Sequence, residues 1–320
     1  MRLLVTGASG FIGQALISQL LNNSNYQVYA VVRKLFASFP PEINQLKIDD
    51  ISSSTNWDKY LQGVDCVIHT AARVHVMSDT SNNPLDEFRK VNTTGTLKLA
   101  QQAAKYGVKR FIYLSSIKVN GEVTFHKGPF TADDVFIPTD PYALSKYEAE
   151  QGLLKLAENT NMEVVIIRPP LVYGPNVKAN FKNMMKWLYK STPLPFGGIN
   201  NKRSLVAIDN LVDLIITCIE HPGAANEIFL VSDGEDLSTS ELLNRVSAAL
   251  GKKSRLLSVN QQLLELSLKL IGKKDLAQRL CSSLQVDIRK TKTLLNWTPP
   301  VNMDDGLKIT AQKFIESQYL

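Results

Sequence analysis

Short apolar runs alternate with longer amphipathic segments through the first half of the chain. The runs are rich in β-branched residues and read RLLVT, QVYAVV, DCVIHTA, RFIYLSS and EVVIIRP. The segments between them, such as FIGQALISQLLNN, have the apolar spacing of helices. Strands that are apolar on both faces and separated by helices are typical of parallel sheets covered on both sides. The pattern predicts an α/β fold with a Rossmann-type, doubly wound parallel sheet.

Two features mark where elements end and where a second region begins. The segment LDEFRKVNTTGTLKLAQQAAKYG predicts one long helix that ends at Gly107, because glycine readily adopts the left-handed conformation after a last turn. After Pro169 the sequence becomes rich in proline and glycine around a predicted helix at 180–190. SLVAI and NEIFLVSDG still have strand character, and we expect the chain to return to the main sheet there.

These changes predict two interleaved domains. The first is a dinucleotide-binding domain of residues 1–174 with 204–235, and the second is a smaller substrate-binding domain of residues 175–203 with 236–320. Within the second lies QQLLELSLKLIGKKDLAQRL, an amphipathic stretch rich in leucine. Such a stretch binds a membrane surface or a partner in some proteins, but core packing of the smaller domain is the favoured interpretation.

Composition and charge narrow the class of protein. The 320 residues are 44% hydrophobic and 21% charged, as in folded globular chains, and the formal net charge is +6. The basic residues form no run longer than pairs such as Lys252–Lys253. This pattern favours a small anionic ligand over nucleic acid. No stretch of about 18 apolar residues predicts a membrane span, and we expect a cytoplasmic protein.

Cysteine and histidine spacing gives no sign of a metal or disulfide framework. The cysteines are few and far apart: Cys66, Cys218 and Cys281. The histidines have no metal-ligand spacing with each other or with the cysteines: His69, His75, His126 and His221. We therefore expect reduced thiols and no metal.

A glycine-rich segment, VTGASGFIGQAL, lies directly between the first strand and the first helix. Gly7, Gly10 and Gly13 would permit a tight turn, close approach of the backbone to a pyrophosphate and close packing of helix on strand. The helix N-terminus adds unpaired N–H donors. A plain glycine-rich turn is the alternative, but the position between strand and helix favours a dinucleotide site.

The end of the second predicted strand bears on which dinucleotide binds. An NAD site commonly has an acidic residue here for the ribose hydroxyls, whereas this chain has Arg33. Arginine can pair with the 2′-phosphate of NADP, and a solvated surface charge is the alternative. Asp50, after the third strand, is expected near the adenine end. The cofactor is predicted to be NAD or NADP, with Arg33 favouring NADP.

Candidate acid–base chemistry lies in PYALSKYEAE, where Tyr142 and Lys146 share one face of a predicted helix. Such pairs are frequent by chance. A lysine charge near a phenol favours the phenolate, however, and together with an oxidised nicotinamide would lower the pKa of Tyr142 toward neutrality. Ser116 follows the fifth strand, so all three residues are expected to meet at the carboxyl ends of the strands, where open α/β sheets bind ligands.

With these residues the chain resembles the extended short-chain dehydrogenase/reductases, specifically the nucleotide-sugar enzymes of the NAD-dependent epimerase/dehydratase family and their UDP-glucose 4-epimerase-like branch. The resemblance covers almost the whole chain. It rests on TGASGFIG, HTAA, VNTTG, the paired serines before VNGE, YALSK, RPPLVYGP and LLNWTPP.

The resemblance implies roles for individual residues. Tyr142 would be the acid/base, Lys146 would hold the nicotinamide ribose and tune the tyrosine, and Ser116 would hydrogen-bond the reacting oxygen. Asn180 and Arg203 look like sugar-nucleotide contacts, Arg203 being suited to a diphosphate. The implied cofactor contacts are Gly7, Ser9, Gly10, Phe11, Ile12, Gly13, Arg33, Asp50, Ile51, Thr70, Ala71, Ala72, Asn92, Tyr142, Lys146 and Pro169.

Departures from the family pattern limit the reaction. The family's 4,6-dehydratases carry an Asp–Glu pair where this chain has Ile117 and Lys118, so dehydration is not expected. The favoured activity is 4-epimerisation of a UDP-hexose or UDP-N-acetylhexosamine through a 4-keto intermediate. An NADPH-dependent reductase of a UDP-4-keto-6-deoxy sugar and a non-catalytic nucleotide-binding regulator are the alternatives. A homodimer is compatible with the resemblance.

Overall fold

The protein is described by a computed structural model over residues 1–74, 83–124 and 128–318. His75 and His126 lie outside these residues. The strands in chain order are β1 Arg2–Thr6, β2 Gln27–Val32, β3 Asn44–Lys47, β4 Cys66–His69, β5 Arg110–Leu114, β6 Glu163–Arg168, β7 Leu171–Tyr173, β8 Arg203–Ala207, β9 Ile228–Leu230 and β10 Asp236–Leu237.

Helices separate most of these strands. They are α1 Phe11–Leu20, α2 Asp58–Leu61, α3 Pro84–Phe88, α4 Thr96–Lys105, α5 Pro141–Glu158, α6 Ala179–Tyr189, α7 Ile208–Glu220, α8 Thr239–Ala249, α9 Gln261–Leu270, α10 Lys274–Cys281, α11 Arg289–Leu295 and α12 Met303–Glu316. Short 3-10 turns occur at Ile117–Val119 and Pro222–Ala224.

The main sheet is parallel, with strand order β3-β2-β1-β4-β5-β6-β9. One face packs on α1 and α7 through residues such as Leu16 and Leu211, and the other packs on α4 and α5 through Leu99 and Leu153. The five apolar runs form β1, β2, β4, β5 and β6. The predicted doubly wound Rossmann-type sheet is therefore confirmed.

A smaller sheet has the order β10-β8-β7. The expectation that SLVAI joins the main sheet is wrong, because β8 pairs with β7 in the register Leu171↔Leu205. Pro169 and Pro170 end β6, and the chain continues directly into the short strand β7. Strand β8 lies beside β7. NEIFLVSDG does return to the main sheet as β9. The domain boundaries given above stay a prediction.

The predicted long helix is one helical stretch with an irregular centre. It ends as expected, since Gly107 follows α4 with a φ of 75°. Between α3 and α4, however, Arg89–Gly95 forms wider π-helical turns. Such insertions are frequent at functional sites, and this one contains Asn92.

The leucine-rich stretch, for which core packing is the favoured interpretation, packs into a small apolar cluster on one side only. In α9 Leu264 is buried and Leu268 is partly buried, but Leu263, Leu266 and Leu270 are exposed. The helix is apolar on two faces, and one of them is packed.

Candidate active site

The glycine loop between β1 and α1 is closely packed. The N–H of Gly10 donates to the carbonyl of Gly7 at 2.8 Å, and Gly7 has a φ of 70°, which favours glycine. A Cβ at Gly7 would lie 2.6 Å from the amide nitrogen of Ala71, and a Cβ at Gly13 would collide with the carbonyl of Gly7. Glycine is therefore required where the turn is tight and where the helix packs on the strand.

The N-terminus of α1 is suited to hold a pyrophosphate. Gly10 is the N-cap and has no side chain that could accept a hydrogen bond. The first N–H groups of the helix can therefore donate to a ligand. Ser9 and Gly10 are exposed, and Phe11 and Ile12 are partly buried beside them. These residues fit the dinucleotide phosphates that the sequence predicts.

Residues proposed for the adenosine end lie at the carboxyl ends of two neighbouring strands. Arg33 follows β2 and is exposed, and Asp50 follows β3 and is also exposed. Asp50 accepts a hydrogen bond from Ser52 Oγ at 3.3 Å. Ile51 packs so closely on Gly95 that a Cβ there would lie 2.9 Å from its Cγ2.

The loop after β4 is tied to β1 and to the π-helical turns. Thr70 donates its hydroxyl proton to the carbonyl of Thr6 at 2.7 Å, and Ala71 and Ala72 follow it. Buried Asn92 donates to Ser145 Oγ and to the carbonyl of Arg73, both at 3.0 Å. Its own amide oxygen accepts the Arg73 N–H at 2.8 Å. Asn92 thereby fixes this loop against α5.

His69, in the HTAA motif, has a structural setting. The imidazole lies between the hydroxyls of Thr6 and Thr96, at 2.6 and 2.8 Å. Burial, with a smaller effect of the Lys146 charge, lowers the pKa of His69 to about 3. This histidine is therefore neutral and joins β4 to β1 and α4.

Ser116 and Tyr142 lie next to each other, and Lys146 lies one turn further along α5. Asp140 caps α5 by accepting the Ala143 N–H at 2.9 Å, which places Tyr142 in the first turn. Ser116 is the second residue after β5 and lies within hydrogen-bonding reach of Tyr142.

Lys146 is directed into the sheet rather than toward solvent. Its Nζ donates to the carbonyl of Leu114 at 2.9 Å and lies 4.5 Å from the centre of the Tyr113 ring. Burial lowers the pKa of Lys146 to about 7, opposed by the charge of Glu150. The ammonium is thus held at the end of β5, one turn from the phenol.

The expected lowering of the tyrosine pKa is not found in the protein chain by itself. Burial raises the pKa of Tyr142 to about 12, and the contact with Ser116 only partly opposes this rise. The Lys146 ammonium donates to the Leu114 carbonyl rather than to the phenol. In this setting Tyr142 is a protonated acid at neutral pH.

A buried ion pair that the sequence reasoning missed lies behind these residues. Arg168, the last residue of β6, donates to both carboxylate oxygens of Glu150 on α5, at 2.6–3.2 Å. Arg168 also donates to Asn120 Oδ1 at 3.0 Å, and the carbonyl of Pro169 accepts the Ile117 N–H at 3.0 Å. These contacts join α5, β6 and the turn after Ser116. Glu150 is one turn beyond Lys146, a spacing that could have drawn attention to it.

A cavity of about 210 Å³ adjoins this cluster. It is lined by Lys118, Glu122, Asp140, Arg203, Asp275, Gln278, Arg279 and Leu284. Arg203 is thus in a cavity wall, where it donates to the Ser282 carbonyl at 2.9 Å and burial lowers its pKa. Arg279, which the sequence reasoning missed, lies in the same wall. Asn180 is exposed on α6 and is not among the lining residues.

The two positions that replace the dehydratase acids have other contacts. Ile117 is buried in an apolar cluster, and Lys118 pairs with Glu122 at 2.6 Å and with Asp140 at 3.7 Å. Ile117 has no ionisable group and Lys118 is held in ion pairs, so these two positions do not supply the carboxylic acid pair of the dehydratases. In the described ranges, no three histidine, cysteine or acidic side chains are grouped as metal ligands. No helix in those ranges is long and apolar enough to cross a membrane.

Known proteins are similar to this chain over nearly its whole length, and three of them are described here. A UDP-glucose 4-epimerase from Vibrio cholerae is 49% identical over 316 residues, which are 98% of this chain and 96% of that protein. An N-acetyl-α-D-glucosaminyl-diphospho-ditrans,octacis-undecaprenol 4-epimerase from Escherichia coli O157:H7 is 27% identical, over 97% and 94% of the two chains. The crystal structure of a UDP-glucuronic acid 4-epimerase from Bacillus cereus with NAD shares the fold, with a TM-score of 0.79 at 24% identity and 99% coverage of both chains.

The family assignment follows from the match of residues 3–232 to the NAD dependent epimerase/dehydratase family. The matched range contains the glycine loop, Ser116, Tyr142, Lys146 and Arg203. The chain is an enzyme that belongs to the NAD-dependent epimerase/dehydratase family.

Proposed function

We propose that this enzyme is a UDP-sugar 4-epimerase that inverts carbon 4 of a UDP-hexose or UDP-N-acetylhexosamine through a 4-keto sugar. The observation that carries the proposal is the meeting of Ser116 and Tyr142 beside a cavity with two arginines. The cavity wall contains Lys118, which is two residues after Ser116, and Asp140, which is two residues before Tyr142. The identity to a 4-epimerase over nearly the full length of both chains supports the same reaction.

The glycine loop and Lys146 are the residues that would hold the dinucleotide. That cofactor, when bound, supplies the oxidation and reduction at carbon 4. Burial raises the pKa of Tyr142, so the phenol could act as a base only if the positive charge of an oxidised nicotinamide lowered that pKa again. The phenolate would then take the proton of the carbon 4 hydroxyl as the ketone forms and return it to that oxygen as the opposite epimer is made. Ser116 hydrogen-bonds the same oxygen and keeps it next to the phenol. The ketone must turn within the site so that its other face can be reduced.

Arg203 and Arg279 are the proposed diphosphate contacts. Guanidinium groups bind phosphate oxygens in a bidentate manner, and a partly buried arginine such as Arg203 loses less hydration on binding than an exposed one. Asn180, on α6, is proposed as a further sugar-nucleotide contact, which rests on the resemblance because the residue does not line the cavity. Glu122 and Asp140 keep Lys118 engaged in ion pairs, so the two arginines are the better candidates for the anionic ligand.

A second candidate function is the NADPH-dependent reduction of a UDP-4-keto-6-deoxy sugar. The exposed Arg33 at the end of β2 favours it, because the guanidinium can pair with a 2′-phosphate. Titration of the purified protein with both cofactors tests this role. If Arg33 binds that phosphate, Arg33→Ala costs NADP about 10- to 150-fold in affinity and leaves NAD nearly unchanged. If the wild type and Arg33→Ala bind NADP with equal affinity, Arg33 is only a surface charge.

The experiment that tests the function is to denature the purified enzyme and identify the dinucleotide it releases. An epimerase regenerates its cofactor in every cycle, so we expect tightly held NAD in stoichiometric amount. A protein that releases no dinucleotide, and turns over only while it consumes added NADPH, would support the reductase instead. Turnover of any sugar nucleotide would exclude a non-catalytic regulator.

A further inference from the structure

The outer face of α9 exposes a row of large apolar side chains. Leu263, Leu266 and Leu270 are spaced i, i+3 and i+7 and are 64%, 55% and 78% exposed, and Ile271, directly after the helix, is 64% exposed. We refer to these four residues as the leucine face. They lie opposite Leu264, which packs in a small apolar cluster. Contiguous exposed apolar surface of this kind marks an interaction site.

Positive charge is concentrated in the same part of the chain. Residues 252–279 contain seven lysines and arginines and two acidic residues, a surplus of five, whereas the whole chain has a surplus of six. Lys273 and Lys274 lie at the junction of α9 and α10, immediately beyond Ile271, and both are exposed. Of the two acids, Glu265 is 3.5 Å from Lys269, and Asp275 faces the cavity. Along the chain, the cations next to the leucine face are Lys273, Lys274 and Lys269, the last of which is paired with Glu265.

The same hairpin forms part of the active-site cavity. Asp275, Gln278 and Arg279 of α10 line it, while the leucine face of α9 is directed to solvent. The α9–α10 hairpin thus carries both the leucine face and three of the residues that line the cavity.

We propose that the α9–α10 hairpin docks on an anionic membrane surface. The leucine face enters the boundary between headgroups and acyl chains, and Lys269, Lys273 and Lys274 contact lipid phosphates. An apolar helix face combined with flanking lysines is the arrangement by which helices lie in a membrane interface. A second copy of the chain fits less well, because it would bring two segments with a surplus of five positive charges together. This docking is independent of which sugar the enzyme accepts.

Co-sedimentation of the full-length protein with vesicles tests the proposal. We expect binding to vesicles that contain phosphatidylglycerol, weak binding to phosphatidylcholine alone, and weaker binding in about 0.5 M salt than in about 0.1 M salt. Leu266→Gln combined with Leu270→Gln should reduce binding about 10- to 100-fold, because two leucines no longer enter the membrane. Lys273→Gln combined with Lys274→Gln should reduce it about fivefold per lysine and weaken its salt dependence.

The matched control is Leu294→Gln combined with Ile309→Gln, which removes two apolar side chains that are 40% and 44% exposed on α11 and α12. This control should bind like the wild type, and thermal unfolding should be similar for all variants. The proposal is overturned if the wild type does not bind anionic vesicles, or if the leucine and control variants bind equally. It is also overturned if the wild type is a dimer without vesicle binding and the leucine variant is a monomer, since the leucine face would then join two copies.

Discussion

Helices α5 and α10 both bring residues to the candidate active site, but they are held in different ways. On α5, Lys146 and Glu150 are fully buried, and their partners are the carbonyl of Leu114 and the guanidinium of Arg168. On α10, Asp275 and Arg279 are exposed and belong to a short helix that packs on α9.

The contrast separates two tasks. The position of the acid/base pair depends on the sheet and on buried polar contacts, so it cannot shift without cost to stability. The substrate wall depends on surface side chains, so its contacts can change while the fold is kept. Changes on α5 should therefore affect the rate of the chemical step or stability, and changes on α10 should affect substrate affinity.

The largest effect is expected from Tyr142→Phe. The change removes the acid/base hydroxyl and little packing, so kcat should fall about 10²- to 10⁴-fold while dinucleotide binding stays near normal. Steady-state turnover and cofactor titration measure both. Tyr147→Phe, on the same helix, is the matched control and should keep its activity. Near-normal turnover by Tyr142→Phe would remove this tyrosine from the mechanism.

Glu150→Gln should cause the largest loss of stability. The change leaves the Arg168 charge buried without its carboxylate, and breaking a buried pair costs about 3–5 kcal/mol. Glu235→Gln breaks the exposed pair of Glu235 with Arg245 and should cost about 1 kcal/mol or less. Urea unfolding of both variants compares them directly. Equal losses would contradict the difference drawn between buried and exposed contacts.

Lys146→Met should change how stability depends on pH. The folded state holds the pKa of Lys146 near 7, below the value of about 10.5 in an unfolded chain, so the unfolded state binds more protons between these values. The free energy of unfolding should accordingly rise with pH from about 7 to 10.5 in the wild type. The rise should be smaller in Lys146→Met, by an amount on the order of several kcal/mol, at about 1.4 kcal/mol per pKa unit.

Denaturant unfolding at several pH values measures that difference between the two proteins. Parallel curves would mean that Lys146 is not held in the low-pKa environment that its burial indicates. The binding of NAD should also weaken in Lys146→Met, which isothermal titration can detect.

The smallest effect is expected on the α10 wall, from Arg279→Ala. A charge-assisted contact to a diphosphate is worth about 1.5–3 kcal/mol, and the exposure of Arg279 favours the lower end, so KM should rise roughly 10-fold. The value of kcat should change little. Arg289→Ala, an exposed arginine on α11, is the control. A loss of kcat with unchanged KM would place Arg279 with the chemistry rather than with binding.

The two regions also differ in what their sequences predict. The positions of Ser116 and Tyr142 could be predicted because one follows a strand and the other begins a helix, where the parallel sheet fixes the geometry. Arg279 lies in a helix without a motif, and its place beside Arg203 depends on how α10 packs. The exposure of the leucines of α9 could not be predicted either, because a helix with two apolar faces does not indicate which face is buried. Glu150 and Arg168 are ordinary charges in sequence, and only packing makes them a buried pair.

The most direct test of the central claim uses UDP-N-acetylglucosamine and UDP-glucose that carry deuterium at carbon 4. The purified enzyme is given either substrate without added dinucleotide, and the products are followed by mass spectrometry and NMR. The account predicts reversible formation of the carbon 4 epimer with the deuterium retained at carbon 4, and no such reaction by Tyr142→Phe. No interconversion of either substrate, or formation of the epimer by Tyr142→Phe at the wild-type rate, would contradict it.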